Sequence, residues 1–260
     1  MLSKIEYLIV KMVGKLRCRI IPIHKATTTV ETLPKDMQGE FKEIYEQCMD
    51  YTMTSIERMY ALYQSVKYIV NSKVAGDFVE CGIWKGGSSM LIAYTLLKLG
   101  DLCRKIYLYD TFEGMPKPIV KDKLLSDGTP AINIWRKYQS GNTSKYCFAT
   151  LEEVKNNMSL TKYPQDNMIF VKGKIEDTIP KIMPSKISLL RLDTDWFEST
   201  YHELNYLFPL LSSGGVLIID DYGHWSGAKE AMDKYFLENN IHILLNRIDY
   251  TGRLGIKHIA

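Results

Sequence analysis

Residues 78–89 read Phe78-Val79-Glu80-Cys81-Gly82-Ile83-Trp84-Lys85-Gly86-Gly87-Ser88-Ser89: a short apolar run, a glycine-rich turn and the opening of a helical segment. Glycines at such a strand-to-helix turn let the backbone approach a ligand closely and aim helix N–H groups at it. Outward from this stretch the alternation repeats. Strand-like runs at 77–81, 105–109, 168–171, 187–192 and 215–220 are separated by helical patterns at 88–99, 150–158, 200–211 and 226–238, the signature of a parallel α/β sheet. The runs 241–248 and 253–258, split by Asp249-Tyr250-Thr251-Gly252, predict a closing antiparallel hairpin. Thr200 and Glu203 predict a capping box for the helix over 200–211, with Gly214-Gly215 ending it. Residues 113–148, long and polar, predict an excursion above the sheet.

The chain has 260 residues, 46% hydrophobic and 24% charged. That fits an ordinary globular protein and excludes collagen-like, mucin-like and wholly disordered classes. No apolar run reaches membrane-spanning length. Five widely spaced cysteines without a Cys-x-x-Cys pair argue against a disulfide framework or zinc ribbon and for a reducing cytoplasm. Of the net charge of +3, residues 1–25 hold six basic side chains against Glu6 alone, so the body is slightly acidic. A nucleic-acid enzyme carries its positive charge on the body, so nucleic acid is not an expected partner. Over 1–17, Leu2, Ile5, Leu8, Ile9, Met12, Val13 and Leu16 form a stripe beside Lys4, Lys11 and Lys15. This amphipathic helix predicts either peripheral contact with the inner membrane face through residues 1–20, or packing on its own domain or a dimer partner; a homo-oligomer is expected. A connection over 18–40 comes next. Two helices lie across 41–72, the second starting at Ser55 with Ile56, Met59, Tyr60, Tyr63, Val66 and Val70 on one face. The expected division is a helical extension or lid over 1–72 and an α/β domain over 73–260.

The dinucleotide pattern Gly-x-Gly-x-x-Gly is absent, since Gly82 and Gly86 are four apart. Glu80 inside the first strand, followed by Gly-x-x-x-Gly, is similar instead to the first motif of class I methyltransferases, which bind S-adenosyl-L-methionine. The second strand ends in Asp110, whose carboxylate suits both ribose hydroxyls of a bound nucleoside. That position alone does not separate adenosylmethionine from NAD. Two further strand ends are acidic: Leu192-Asp193-Thr194-Asp195 and Ile219-Asp220-Asp221-Tyr222. Adjacent parallel strands bring Asp193 and Asp220 to one carboxyl edge, where crowded carboxylates repel and are relieved by a hard cation such as Mg²⁺. The other reading has these aspartates capping helices or pairing with Lys174 or Arg191.

Together, Phe78–Ser88, Asp110-Thr111-Phe112-Glu113-Gly114-Met115, Leu192–Thr200 and Ile219–Gly223 resemble the macrocin O-methyltransferase (TylF-type) family, from about residue 50 to the C-terminus, with residues 1–40 outside the resemblance. The resemblance implies a class I, Rossmann-like, mostly parallel seven-stranded sheet with an antiparallel C-terminal hairpin and N-terminal helices. It implies a metal- and adenosylmethionine-dependent enzyme acting on a sugar hydroxyl of a glycosylated natural product or surface polysaccharide. By motif position Asp193, Asp220 and Asp221 hold the metal, and Asp193 is the base. The cofactor-binding set is Glu80, Gly82, Trp84, Gly86, Ser88, Asp110, Thr111, Phe112, Lys174 and Glu176. Within it Trp84 and Phe112 flank the adenine, or pack the core. Lys174 and Glu176 reach the adenine, or are solvated. For the acceptor, Tyr51, Tyr60 and Tyr63 form a lid or simply pack, and Tyr222 and His224 follow the metal motif. The rival functions are a catechol-type methyltransferase, a nicotinamide oxidoreductase and a non-catalytic binding protein.

Overall fold

The structure, a computed structural model, describes residues 33–258. The amphipathic helix expected over 1–17 and most of the connection over 18–40 lie outside them. From Met37 onward the chain forms one compact unit. It opens with helices α1 (Glu40–Cys48) and α2 (Ile56–Asn71). Ser55 caps α2 by accepting the Arg58 N–H at 3.3 Å, and Glu57 sits in the first turn, where the helix dipole favours an acid. The buried stripe of α2 is Met59, Leu62, Tyr63, Val66 and Ile69, rotated slightly from the expected face because Ile56, Tyr60 and Val70 are only partly covered.

Seven strands form the main sheet: β1 (Asp77–Cys81), β2 (Ile106–Asp110), β5 (Met168–Lys172), β6 (Ile187–Leu192), β7 (Leu211–Ile219), β8 (Asn246–Arg247) and β9 (Arg253–Ile256). Their spatial order is β5-β2-β1-β6-β7-β9-β8. The first five are mutually parallel, and β9 runs antiparallel to both β7 and β8. The expected seven-stranded, mostly parallel sheet with a terminal hairpin is therefore present, although the hairpin's first arm shrinks to two residues. A separate ribbon, β3 (Gln139–Ser140) with β4 (Thr143–Ser144), and helix α4 (Ala131–Lys137) lie in the 113–148 excursion, off the main sheet. The remaining helices are α3 (Gly87–Leu99), α5 (Leu151–Ser159), α6 (Ile175–Thr178), α7 (Phe197–Leu207) and α8 (Ser226–Glu238). Side chains alternate across the sheet. Phe78, Leu108, Leu189 and Ile218 pack into the core with α2 and α3, while Val79, Tyr109, Leu190 and Leu217 face that of α7 and α8.

One expectation fails. Helix α7 begins at Phe197 with Trp196 as its cap residue and no side-chain cap bond, so Thr200 and Glu203 are no capping box. Thr200 instead donates its N–H to the Trp196 carbonyl inside the helix. Gly214-Gly215 belong to β7 rather than to the helix end. The helix stops earlier, at a short turn over Phe208–Leu210 whose Pro209 lacks an N–H.

Strand order reverses about β1, with β2 on one side and β6 on the other. The crevice beyond the carboxyl ends of these strands is where parallel α/β folds place ligands. The register brings the carboxyl ends of neighbouring strands level. Cys81 pairs with Tyr109 and Leu192, and Leu192 with Ile219. Just past the strands, the N–H groups of Gly82, Asp193 and Asp220 donate to Tyr109, Cys81 and Leu192 carbonyls, each at 2.9 Å. Gly82, Asp110, Asp193 and Asp220 thereby stand in one row. Gly82 can be nothing larger: its φ is +85°, and a Cβ there would sit 1.9 Å from the Asp193 carbonyl oxygen. Gly82→Ala is expected to lose about 1–3 kcal/mol to the left-handed backbone alone, and more to the clash. Urea unfolding measures it; unchanged stability would contradict this account of the row.

Candidate active site

A cleft opens above the row. On its first side Asp110 is a fastening. One carboxylate oxygen accepts the N–H groups of Ile83 and Trp84 at 2.7 and 3.3 Å, and the other accepts that of Phe112 at 2.8 Å. The glycine turn is thus tied to the end of β2; the second oxygen also lies 3.4 Å from the Thr111 hydroxyl, which donates to the Gly114 carbonyl at 2.6 Å. Burial raises the Asp110 pKa, and the three N–H bonds pull against it. Trp84, Phe112 and Asp195 all take left-handed backbone at φ 47°, 51° and 65°, a strain that fixed surroundings must offset.

On the other side the organising group is Arg191, a guanidinium 2% exposed in the middle strand β6. Nη1 donates to Glu80 at 2.5 Å and lies 2.8 Å from Asp193 Oδ2; Nη2 donates to Asp220 at 2.7 Å and to the Thr54 hydroxyl at 3.0 Å. Arg58, from the first turn of α2, makes a close ion pair with the other Asp220 oxygen and reaches Asp249 at 2.9 Å. Burial would lower the Arg58 pKa, but Asp220, Asp249, Asp193 and Asp221 together raise it. The Ser55 hydroxyl also donates to Asp249 at 2.7 Å. The segment Tyr51–Thr54 is thereby held over the cleft, where Tyr51 and Thr52 pack so tightly on Gly87 that a Cβ there would come within 2.7 Å of both.

Three carboxylates stay outside this arginine network or at its margin. Ligand oxygens of Asp193, Asp195 and Asp221 all lie within 4.8 Å of one another. Burial, then mutual repulsion, raises the pKa of Asp195 to about 7 and that of Asp221 well above its usual value. The cleft leaves 26% of the Asp193 side chain exposed, yet its walls strip enough hydration to raise this pKa too, against the pull of Arg191. Asp221 Oδ2 is buried without a hydrogen-bond partner. An all-carboxylate donor set with an orphaned oxygen suits a hard divalent cation.

Of the residues expected from sequence, Glu80, Gly82, Trp84, Ser88, Asp110, Thr111, Lys174, Glu176, Asp193, Asp220, Asp221, Tyr51 and His224 line the cleft. Gly86, Phe112, Tyr60 and Tyr222 do not. Gly86 caps α3 with φ +94°, and Phe112 is buried core. Tyr60 packs edge-on against Phe41 at 5.0 Å, in the same aromatic group as Tyr63, because their helix face turns to α1. Tyr222 points out to Asp233 at 2.6 Å. Glu80 reaches the cleft with both oxygens engaged, by Arg191 and Ser89. Asp220 is claimed by two guanidiniums, while Asp195, two residues beyond Asp193 in the same motif, joins the convergent three. Sequence reasoning missed Arg58, Asp249, Tyr146, Cys147, Trp225 and Tyr250. Arg58 carried one signal: a basic residue in a helix's first turn opposes the dipole unless acids await it.

A profile of the family described as Macrocin-O-methyltransferase (TylF) matches residues 12–254, so the likeness begins well before residue 40. The chain is 32% identical over 202 residues to the 8-demethyl-8-(2,3-dimethoxy-alpha-L-rhamnosyl)-tetracenomycin-C 4'-O-methyltransferase of Streptomyces olivaceus, covering 78% of this chain and 74% of that one. It is 30% identical, with the same coverage, to the demethyldecarbamoylnovobiocin O-methyltransferase of Streptomyces niveus. Among solved structures, the O-methyltransferase NovP superposes with a TM-score of 0.70 at 28% identity, covering 80% of this chain and 83% of that chain. With the strand order, the glycine turn and the acidic strand ends in place, this chain is an O-methyltransferase and belongs to the macrocin O-methyltransferase family.

Proposed function

We propose that the enzyme transfers a methyl group from S-adenosylmethionine to a sugar hydroxyl of a glycosylated acceptor, with Mg²⁺ held by Asp193, Asp195 and Asp221. The observation that carries this reading is the convergence of those three carboxylates, one with an orphaned buried oxygen, beside a turn fastened by Asp110. One relative acts on a rhamnosylated tetracenomycin, which supports a glycosylated acceptor, and another on demethyldecarbamoylnovobiocin. Adenosylmethionine, when bound, supplies an electrophilic methyl carbon on a positively charged sulfur. Mg²⁺, when bound, supplies a Lewis acid that lowers the pKa of an acceptor hydroxyl.

The chain's own residues do the rest. Asp110 accepts a ribose hydroxyl at Oδ1, where the Thr111 hydroxyl competes weakly because it donates to the Gly114 carbonyl. Asp193, whose side chain stays 26% exposed to the cleft, takes the acceptor proton on a carboxylate oxygen. Once its proton passes to Asp193, the acceptor oxygen would take the methyl group that the bound cofactor would supply, leaving a neutral thioether. Arg191 and Arg58 hold Glu80 and Asp220 in ion pairs, so the proton is left to the carboxylates that open on the cleft. Tyr51–Thr54 on one wall and Tyr146, Cys147 and Trp225 on another exclude water around the reacting atoms.

The four described cysteines are free thiols, which supports a reducing compartment. No described helix is long and apolar enough to cross a membrane. The basic stripe of residues 1–17 supports attachment to an anionic membrane surface, with packing on a second copy as the competing outcome.

EDTA is expected to abolish turnover and Mg²⁺ to restore it. Asp221→Asn should lose activity while binding adenosylhomocysteine nearly as well as the parent, and Asp110→Ala should weaken that binding by about 1.5–3 kcal/mol in calorimetry. Full turnover in EDTA removes the cation from the proposal. Turnover of catechols with none of any glycoside replaces the sugar acceptor by an aromatic diol.

Stability should follow pH with a definite sign. The Glu80 and Asp195 carboxyls are raised to about 7 by burial, from ordinary values near 4. The folded state then binds more protons between those limits, so without metal the fold gains stability as pH falls from about 8 to about 5. In EDTA the Tm should be higher at the lower pH, and added Mg²⁺ should raise Tm more at the higher one. A flat or opposite Tm trend in EDTA contradicts the crowding of uncompensated carboxylates.

A further inference from the structure

Glu203 lies on the second turn of α7 with no solvent exposure. The Thr194 hydroxyl stands 3.0 and 3.2 Å from its two oxygens, and the Cys81 thiol is its other partner. Neither is a cation, and the charged groups facing it, Glu176 and Asp193, are both acidic. Burial raises its pKa strongly. An apolar side chain would fill such a place at lower cost. The carboxyl is therefore best understood through what it holds.

What it holds is Thr194, the residue between Asp193 and Asp195. Backbone bonds fix both ends of this turn: the Asp193 N–H donates to the Cys81 carbonyl at 2.9 Å, and the Trp196 N–H to the Thr194 carbonyl at 2.7 Å. Between them Asp195 takes left-handed backbone at φ 65°, a conformation that costs an aspartate energy unless neighbouring contacts impose it. The Thr194 hydroxyl ties the centre of the turn to α7, and α7 itself packs on β6 and α8.

We propose that Glu203 is a positioning residue for the carboxylate cluster: by accepting the Thr194 hydroxyl it sets the Asp193–Asp195 turn so that both carboxylates converge with Asp221. The proposal rests on reading that cluster as a cation site. It adds a residue buried beneath the site, and it makes cation affinity depend on a hydroxyl that touches no cation. Groups that orient metal-binding side chains in this way typically change affinity by about 10–100-fold when removed.

The test uses the full chain and Mn²⁺ as a paramagnetic probe, with the Mn²⁺ dissociation constant from electron paramagnetic resonance and Tm in EDTA read on every variant. Thr194→Val, which keeps the shape and loses the donor, should bind Mn²⁺ at least roughly tenfold more weakly, with metal-free Tm lowered by no more than the few degrees that one lost buried hydrogen bond costs. Thr194→Ser and Glu203→Gln keep a donor and an acceptor and should bind close to the parent. Glu203→Leu should match Thr194→Val, and the double variant should be no worse than either; if Glu203→Leu fails to fold, the Thr194 pair carries the test. Parental Mn²⁺ affinity in Thr194→Val, or Thr194→Ser as weak as Thr194→Val, overturns the positioning role while the cation site stands. A parent chain with no Mn²⁺ signal overturns the cation site itself, and this proposal with it.

Discussion

A guanidinium buried in the central strand of a parallel sheet has to be neutralised where it stands, and the active edge is built around that need. Arg191 sits between β1 and β7 with carboxylates on both neighbours: Glu80 on one, Asp220 just past the other, and Asp193 on its own strand. Removing one partner of such a buried pair costs about 3–5 kcal/mol because the other charge is left in low dielectric. The three strand ends are therefore locked to one another by charge as well as by backbone bonds. Arg58 extends the lock to α2 and to the Asp249 turn, elements almost 200 residues apart in sequence.

The charge balance of that lock leads to chemistry. Two guanidiniums face Glu80, Asp193, Asp220 and Asp249, while Asp195 and Asp221 have no guanidinium partner among the described residues. The surplus is negative, buried, and collected at one point. A folded chain can meet it by protonation, which is the direction of the Asp195 and Asp221 shifts, or by a cation. The second answer also brings a Lewis acid to a cleft whose opposite wall carries the Asp110 fastening. The arginines thus do more than stabilise the fold: by taking Asp220 they decide which carboxylates remain available.

Much of this was legible in the sequence, and the division has a physical cause. The five parallel strands, the glycine turn, Asp110 and the acidic strand ends depend on local periodicity and on register, and a parallel register puts strand ends in a row whatever packs around them. The capping box failed because Thr200 and Glu203 have the right spacing three residues too late; an extra turn, begun at Phe197, makes Glu203 an interior group. That Asp220 meets two guanidiniums while Asp195 converges with Asp193 and Asp221 was not legible, because sequence gives the order of carboxylates along the chain, not which of them an arginine will claim. Arg191 was visible as a possible partner, since a charge inside an apolar strand demands one. Arg58 and Asp249 required knowing that α2 folds back onto the C-terminal hairpin, a long-range contact with no local signature.

The two walls of the cleft also differ in how far sequence can vary. The wall at the glycine turn is backbone: left-handed Gly82 against the Asp193 carbonyl, three N–H groups on Asp110, and a helix opening at Gly87. Such a wall tolerates little change, because a side chain added at Gly82 or Gly87 meets backbone. The opposite wall comes from five separate segments, through Tyr51–Thr54, Met115-Pro116, Tyr146-Cys147, His224-Trp225 and Tyr250. Trp196 and Trp225 brace each other edge-on at 5.0 Å, and the Trp196 and Trp135 indoles donate to the Pro116 and Met115 carbonyls at 3.0 Å. That small core holds the 113–148 excursion at the rim independently of the arginine lock. Residues on the excursion can therefore vary the shape of the rim while the charged edge stays fixed.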